Sequence, residues 1–360
     1  MREGWEYKRW ADVLTIINGK NQKAVESPNG QYPIYGSGGI MGYALDWLCP
    51  ENCVIIGRKG NINKPLFVES KFWNVDTAFG LSANQECLIP KYLFYFCLDY
   101  NFERHNRAVT IPSLTKIDLL KVKMLVPPKP TQLSIVSELD KLNELIQIKK
   151  EQLKDYDALA QSIFYEMFGD PVEEGWDVKE LGDICKTSSG GTPSKAHTEY
   201  YNGEIMWLRS GEVSQGDIYN TEQTITLLGL ENSSAKIFPV NTVVIAMYGA
   251  TVGQVGILRK EMSTNQAICG IFPNEDLTPE YLYYFLISKK AEFLKSAIGG
   301  AQANISQQII RKTLIPLPPL SLQSSFTCKI RQIKLQKAAV QSTITDLETL
   351  LAARMQYWFD

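Results

Sequence analysis

The sequence predicts a mixed α/β fold in which two globular heads are separated by two long antiparallel coiled-coil helices. Two observations on the 360 residues predict this architecture. The chain repeats itself, and each copy of the repeat ends in a long heptad pattern. A chain of this length also exceeds what one hydrophobic core usually serves, which favours two domains.

The internal repeat consists of short blocks of matching residues, and each block keeps a constant offset between its two copies. Gly4-Trp5 recurs as Gly175-Trp176, and Asn52 recurs as Asn241. The blocks 126–128 and 317–319, each ending in Pro-Pro, match at the same offset as Gln132 and Gln323. Because the offset changes only between blocks, small insertions separate two copies of one unit. We therefore predict an internal pseudo-twofold arrangement, in which one task is performed twice.

Within each head, short apolar runs predict the core elements in order. Residues 52–57 and 241–246 are typical of buried strands. The aromatic runs 92–97 and 281–286 follow Pro90 and Pro279, which favours short buried helices. We interpret both aromatic runs as core.

The long helices are predicted by residues in 4,3 spacing, most of them apolar, and each is matched at one constant offset in the second copy. In the first copy these residues are Ile135, Leu139, Leu142, Ile146, Lys149, Leu153, Tyr156, Ala160, Ile163 and Met167. In the second copy they are Phe326, Ile330, Ile333, Lys337, Val340, Ile344, Leu347, Leu351, Arg354 and Trp358.

Such a seam is also typical of a generic oligomerisation coil. Two seams in one chain can instead satisfy each other and form a rigid spacer, which we prefer. The predicted domains are a first head at 1–128, a central helix at 129–170, a second head at 171–319 and a C-terminal helix at 320–360.

Composition restricts the functions open to the chain. A formal net charge of −2 argues against a broadly basic nucleic-acid binder, so any such site has to be local. Seven scattered cysteines and two histidines lack metal-ligand spacing, and we expect buried, reduced thiols and no metal. The sequence shows neither a signal segment nor a membrane span, so we expect a cytoplasmic protein. The motifs of common hydrolases, nucleotide binders and nucleic-acid amino-methyltransferases are absent, so we expect no active site.

Polar, glycine-rich loops at matching places in the heads are the candidate binding residues. In the second head, the loop 187–195 can donate N–H and O–H groups to phosphate, and two later loops place side chains suited to base edges. The candidates there are Ser189, Thr192, Ser194, Lys195, Arg209, Ser210, Glu212, Tyr248, Thr251 and Gln254. Those of the first head are Lys20, Lys23, Tyr35, Ser37, Arg58, Lys59, Asn61, Lys64 and Arg107. A solvated loop is the alternative for each.

These residues resemble the DNA specificity subunits of type I restriction-modification systems, and the resemblance covers essentially the whole chain. It rests on residues 189–194, 247–253 and 304–306 in the second copy. In the first copy it rests on residues 34–40, 55–60 and 75–78. The first head has no literal copy of Thr192-Pro193-Ser194, and residues 20–23 occupy that place.

The resemblance implies that each head is a target-recognition domain for one half of a split DNA sequence and that the helices set the gap. It also implies that the helices dock two modification subunits, which hold S-adenosylmethionine, and that restriction subunits join them. A coiled-coil scaffold whose heads bind protein, an enzyme with an unrecognised carboxylate site and a silent cassette are the alternatives. The target bases cannot be read from the residues.

Overall fold

The computed structural model describes residues 4–106, 112–169, 174–296 and 304–359. The chain divides into two compact units, 1–151 with 340–360 and 152–339. Each unit therefore contains one head and a part of each long helix. The predicted mixed α/β class with two long helices is confirmed, whereas the division into four domains at 128, 170 and 319 stays a prediction. Within the described residues, every helix is too short or too polar to cross a bilayer.

The first unit contains nine strands and the beginning of the central helix among its described residues. The strands are β1 (Glu6–Arg9), β2 (Leu14–Asn18), β3 (Tyr32–Gly36), β4 (Gly39–Ala44), β5 (Cys53–Gly57), β6 (Leu66–Val68), β7 (Trp73–Asn74), β8 (Ala78–Ala83) and β9 (Lys123–Val126). The helices are α1 (Trp10–Val13), α2 (Pro90–Asp99), α3 (Lys116–Leu119) and α4 (Lys129–Phe168).

Three small sheets build the first head. Their strand orders are β2-β8-β5-β6, β4-β3-β7 and β1-β9. The strand predicted at 52–57 is β5, all of whose residues are buried, and the predicted aromatic helix is α2. Trp10, Tyr92 and Phe102 are fully buried in the main core. The long apolar runs therefore form the predicted elements, because they supply most of the apolar area that folding buries.

The second unit repeats this plan with more strands. They are β10 (Val178–Glu180), β11 (Thr187–Ser189), β12 (Tyr201–Leu208), β13 (Asp217–Ile218), β14 (Thr224–Ile225), β15 (Ile237–Phe238), β16 (Val243–Ala246), β17 (Val255–Leu258), β18 (Met262–Thr264), β19 (Ile268–Ile271) and β20 (Leu314–Pro316). The helices are α5 (Leu181–Ile184), α6 (Leu227–Glu231), α7 (Pro279–Ser288), α8 (Lys290–Ser296), α9 (Gln307–Arg311) and α10 (Leu320–Phe359). The sheet orders are β11-β19-β16-β17-β13, β14-β12-β18-β15 and β10-β20.

The repeat is visible in backbone geometry as well as in residue identity. Asn52 and Asn241, which are equivalent in the repeat, both adopt a positive φ, of 58° and 70°. Asparagine tolerates this left-handed region better than other residues with a side chain. Each lies shortly before the central buried strand of its head, β5 or β16. The same strained turn therefore introduces the same strand in both copies.

A buried glutamine joins each long helix to its own head. Gln132, in the first turn of α4, is fully buried, and its Oε1 accepts the Ile89 N–H at 2.7 Å. Its Nε2 donates to the carbonyls of Cys87 and Pro127, both at 2.8 Å. One side chain thus ties the start of α4 to the segment that begins α2. The bonds satisfy both amide donors, as burial requires.

The second copy repeats this arrangement. Gln323 of α10 is also fully buried and accepts the Thr278 N–H at 2.8 Å. Its Nε2 donates to the carbonyls of Asp276 and Pro318, both at 2.9 Å. These partners match those of Gln132 at the offsets of the repeat, so the two glutamines are equivalent. We name these two sets of contacts the glutamine clamps.

The long helices are antiparallel and pack through the predicted seam. In the first unit, Arg354 Nη2 donates to Glu138 Oε2 at 3.0 Å and Lys150 lies 2.8 Å from Glu348. In the second unit, Lys337 pairs with Asp157. The seam residues predicted as the coil interface are all buried or half-buried. They are Ile135, Leu139, Leu142, Ile146, Leu153, Tyr156, Ile163, Ile330, Ile333, Val340, Ile344, Leu347 and Leu351.

The residues at the ends of the seam pack into the cores of the heads. Ile135 and Leu139 belong to the core of the first head, and Ile330 and Ile333 belong to that of the second. Leu351 also packs against the first core, as Tyr156 and Ile163 do against the second. The heptad pattern therefore encodes two kinds of packing. Only the middle of each seam lies outside the head cores.

The expectation that all cysteines are buried is wrong for two of the seven. Cys87 is half-buried and Cys328, on α10, is exposed. Burial raises the pKa of the Cys185 thiol to about 11, so that thiol is poorly reactive at neutral pH. Among the described residues, no cluster of histidine, cysteine and carboxylate side chains is arranged to hold a metal ion.

We predict that Gln132→Ala and Gln323→Ala each lower the free energy of unfolding of the intact chain by about 2–4 kcal/mol, because each leaves buried backbone groups unpaired. Gln147→Ala and Gln336→Ala, at exposed positions of the same helices, serve as controls. Urea unfolding followed by tryptophan fluorescence and circular dichroism measures the effect. Equal unfolding midpoints for clamp and control variants would show that the clamps do not stabilise the heads.

Candidate nucleic-acid interface

The predicted loops of the first head meet at one segment, residues 74–78, which we call the first junction. The Lys20 N–H donates to the Asn74 carbonyl at 3.0 Å, and the Val75 N–H donates to the Tyr35 carbonyl at 3.0 Å. The Arg58 N–H donates to the Thr77 carbonyl at 2.8 Å. Three loops that are distant in sequence therefore converge on a segment that joins β7 to β8.

Arg58 is held at the first junction by its backbone and its side chain. It is half-buried, its Nη1 donates to the Asp76 carbonyl at 3.5 Å, and its guanidinium lies 5.7 Å from the Phe79 ring. Its neighbours in the same loop are different, because Lys59, Asn61 and Lys64 are exposed. Arg58 thus anchors a loop on which these three polar side chains are exposed to a ligand.

The remaining candidates of the first head are divided between core and surface. Lys20 and Lys23 are exposed, and Ser37 lies in the turn between β3 and β4. Tyr35 is half-buried with its ring 5.5 Å from that of Phe72, and burial raises the pKa of its hydroxyl. Its ring is therefore mainly a packing group. Arg107 lies outside the described residues.

The second head has an equivalent junction at residues 264–268. The Gly191 N–H donates to the Thr264 carbonyl at 2.9 Å, and the Asn265 N–H donates to the Leu208 carbonyl at 2.9 Å. The Met247 N–H donates to the Ala267 carbonyl at 2.8 Å. The loop before Thr192, the end of β12 and the end of β16 thus meet at this second junction, as three loops do in the first head.

A polar cleft of about 520 Å³ opens beside the second junction. It gathers three of the predicted residues, Thr192, Lys195 and Arg209. The other residues that line it are Thr198, Tyr201, Asn202, Trp207, Gln223, Thr224, Asn265 and Gln266. None of these described lining residues carries a carboxylate. The cleft therefore offers hydrogen-bond donors and positive charge, which suit an anionic polymer with polar edges.

The glycines of this loop do not donate to a ligand, contrary to the sequence-based expectation. The Gly190 and Gly191 amides donate within the head, to the carbonyls of Ile268 at 3.1 Å and Thr264 at 2.9 Å. A Cβ added at Gly191 would lie 2.2 Å from the Ala235 nitrogen, so only glycine allows this approach. The glycines therefore fix the wall of the cleft, and Thr192 and Lys195 supply polar side chains to its lining.

Glu212 also has a role different from the expected one. The residue is only 5% exposed, so its carboxylate is not presented at the surface. Its Oε2 accepts the Arg209 N–H at 3.0 Å, and its Oε1 accepts the Glu222 N–H at 2.8 Å. Glu212 is thus an internal tie between two loops. Its neighbour Ser210 begins a short 3-10 helix and is half-buried.

The other candidates of the second head do not line the cleft. Ser189 Oγ donates to Gln307 Oε1 at 3.2 Å, and Ser194 Oγ accepts the Ala196 N–H at 3.4 Å. Tyr248 is 40% exposed on a separate loop. Thr251 and Gln254 follow on that loop and are half-buried. The candidates of the second head are thus divided between the cleft and surfaces outside it.

Several residues of the cleft were missed by sequence reasoning, notably Asn202, Gln223 and Gln266. Thr192 Oγ1 donates to Gln266 Oε1, which places that amide on the cleft wall. The repeat does contain a signal for Gln266. Ala78 of the first junction is matched by Ala267, and Gln266 immediately precedes Ala267 in the chain. Asn202 and Gln223 lie on and near strands with no equivalent pattern in the first head, so no sequence signal pointed to them.

Comparisons with known proteins match the repeated organisation of the chain. A family model described as the type I restriction modification DNA specificity domain matches residues 2–155 and again residues 173–330. The HindI specificity subunit of Haemophilus influenzae is 26% identical, over 83% of this chain and 84% of its own. The MjaIX specificity subunit of Methanocaldococcus jannaschii is 31% identical, but over only 41% of this chain and 35% of its own.

Solved structures show the same fold. A structure of the type I R-M system, described in terms of complex assembly and conformational transition, superposes with a TM-score of 0.65 at 19% identity. It covers 99% of this chain and 97% of that chain. The S subunit of M. genitalium superposes with a TM-score of 0.56 at 14% identity, covering 99% and 96%. The two matches to the family model together span most of this chain, which therefore belongs to the family of type I restriction-modification DNA specificity subunits.

Proposed function

We propose that each head of this specificity subunit reads one half of a bipartite DNA sequence and that the paired helices set the unread gap. The observation that carries the proposal is the pair of junctions. Each junction holds loops from distant parts of its head in the same way, whereas the exposed side chains on those loops differ. Two unlike readers on one repeated framework suit an asymmetric site, in which the spacing of half-sites is a geometric constraint.

The helices also offer a docking surface for modification subunits. Leu145, Ile148 and Leu159 of α4 and Leu335 and Leu350 of α10 are exposed, although the seam beside them is buried. Leu145 and Ile148 lie one turn apart on α4, and neighbouring exposed apolar residues of this kind mark an interaction surface. The chain has a net charge of −2, so we expect partner subunits to supply much of the affinity for phosphate.

The chemistry belongs to the partners in this proposal. Modification subunits would bind S-adenosylmethionine and methylate adenine, and restriction subunits would cleave DNA. This chain would contribute recognition and geometry, without an active site. Turnover by the purified chain alone, with no partner present, would contradict that assignment.

A protein-binding scaffold is the second candidate, because the first head exposes apolar side chains on one hairpin arm. Ile40, Met41 and Tyr43 of β4 are 57%, 60% and 49% exposed. This function predicts that the complex of the chain with its modification subunits does not retain DNA sequence-specifically. Gel-shift competition between specific and random duplexes separates the two candidates.

We predict that inserting one heptad into each long helix lengthens the gap in the recognised sequence. Insertions between Glu151 and Gln152 and between Ala339 and Val340 keep the 4,3 spacing on both sides. Seven helical residues add about 10 Å, which corresponds to about 3 base pairs of DNA. Single-molecule sequencing of methylated adenines measures the gap. An insertion in α4 alone, which leaves the two seams unequal in length, is the control and should abolish methylation.

The change seen in the methylated sequence shows whether the helices act as a spacer or take part in reading the bases. The proposal requires altered spacing with both half-site sequences unchanged. Altered half-sites with the original gap would show that the helices do not measure the distance.

We predict that Lys59→Ala and Lys64→Ala each weaken binding of the complex to every DNA sequence alike, because exposed lysines on the loop that Arg58 anchors contact phosphate rather than bases. Each should lower the slope of log affinity against log salt by about 0.9. Fluorescence anisotropy over a range of salt measures the slope. Lys123→Ala, at an exposed position of β9, is the matched control. A changed methylated sequence in either variant would instead assign that lysine to base recognition.

A further inference from the structure

The carboxylate of Glu212 aligns two loops of the second head. Its oxygens accept the backbone N–H groups of Arg209 at 3.0 Å and Glu222 at 2.8 Å. A buried carboxylate with two such bonds is held rigidly, because both acceptors are committed. Glu212 thereby fixes the backbones of Arg209, which lines the cleft, and of Glu222. Their backbones do not need to move for their side chains to meet a ligand.

The side chain of Arg209 is only partly satisfied. Its Nη2 pairs with Glu222, and its Nε lies 3.7 Å from Glu212 Oε2, beyond hydrogen-bond distance. Within the described structure, this Nε is buried and lacks a hydrogen-bond partner. A buried donor without an acceptor is costly, and such groups call for an explanation. Because Nε is buried, the donors that remain for a ligand are those of the terminal nitrogens Nη1 and Nη2.

Glu222 is a replaceable partner for Arg209. Its side chain is 69% exposed, and that of Arg209 is 39% exposed. Ion pairs that open to solvent contribute little net free energy, so a ligand can displace this carboxylate at small cost. A carboxylate presents two oxygen acceptors side by side, much as guanine presents O6 and N7 in the major groove. Glu222 Oε2 accepts from Nη2 of Arg209 and therefore occupies the place of one of these two acceptors.

We propose that Arg209 reads a guanine in the half-site bound by the second head, with Glu212 as a positioning residue and Glu222 as a competing carboxylate that the base displaces. The inference rests on the proposed function, because it requires that this head binds DNA. Arg209 would donate two hydrogen bonds to O6 and N7 of the base, and Glu222 would turn to solvent. Glu212 would keep the guanidinium aimed into the cleft.

The rest of the cleft suits the surroundings of that base. Lys195 is exposed among the lining residues and is placed to meet a phosphate. The carboxamides of Asn202, Gln223 and Gln266 add donors and acceptors suited to neighbouring base edges. The guanidinium fork fits a phosphate as well as a base edge. The carboxamides that line the same cleft favour the base, because their paired donors and acceptors match base edges.

The test uses the full complex of this chain with its modification subunits and maps methylated adenines by single-molecule sequencing. Arg209→Lys keeps the charge and loses the fork. We expect it to make one guanine position of the second half-site degenerate, with about 5- to 100-fold less discrimination there. The first half-site should not change. Arg311→Lys, in the same head and outside the cleft, is the matched control.

Two further variants protect the result against simple loss of folding. Arg209→Gln should shift the preference at that position from guanine to adenine, because glutamine pairs with N6 and N7 of adenine. Damage to the fold cannot create a new preference. Glu222→Gln should retain the guanine preference and raise binding to all sequences several-fold, because a competing negative charge is removed.

Several outcomes would overturn the inference. An unchanged sequence in Arg209→Lys, together with uniform weakening in Arg209→Ala, would make Arg209 a phosphate contact. A second half-site without guanine on either strand would also exclude it, and so would loss of the guanine preference in Glu222→Gln. A wild-type complex that methylates no bipartite sequence would instead overturn the proposed function itself.

Discussion

The glutamine clamps are the constraint on which the rest of each unit depends. A long helix can support recognition only if its head meets it at a fixed angle, and the clamp joins the first turn of the helix to the segment that begins the aromatic helix. Gln132 and Gln323 each bind three backbone groups from fully buried positions. Tyr92 and Tyr281 reinforce the clamps, donating to the carbonyls of Leu125 at 2.8 Å and Pro316 at 2.9 Å.

The junctions apply the same principle to the binding loops. Backbone hydrogen bonds hold three loops to residues 74–78 in the first head and to 264–268 in the second. Side chains on these loops can therefore change while the framework stays intact. Arg58 in the first head and Arg209 in the second illustrate the result, because one is anchored to a carbonyl and the other to carboxylates. A repeated frame with exchangeable side chains explains how one fold holds two unlike readers.

Features set by apolar periodicity could be predicted from the sequence, whereas features set by local hydrogen bonding could not. The heptad seam, β5, β16 and the aromatic helices follow directly from residue spacing. The inward bonds of Gly190 and Gly191, and the burial of Glu212, depend on which carbonyls and amides lie nearby after folding. A Gly-Gly pair in a polar loop looks the same in the sequence whether its amides donate to a ligand or to another segment of the protein. The match between Ala78 and Ala267 is visible in the sequence. Only the structure shows that the two residues belong to the junctions.

If one chain holds two readers at a fixed separation, the positions of methylated adenines must record both readers and the distance between them. Single-molecule sequencing of those adenines, in a host that carries this chain with its modification subunits, measures this directly. We expect one motif composed of two unlike half-sites that flank an unread gap of constant length. A continuous motif, or half-sites at variable distances, would contradict the fixed separation of two readers.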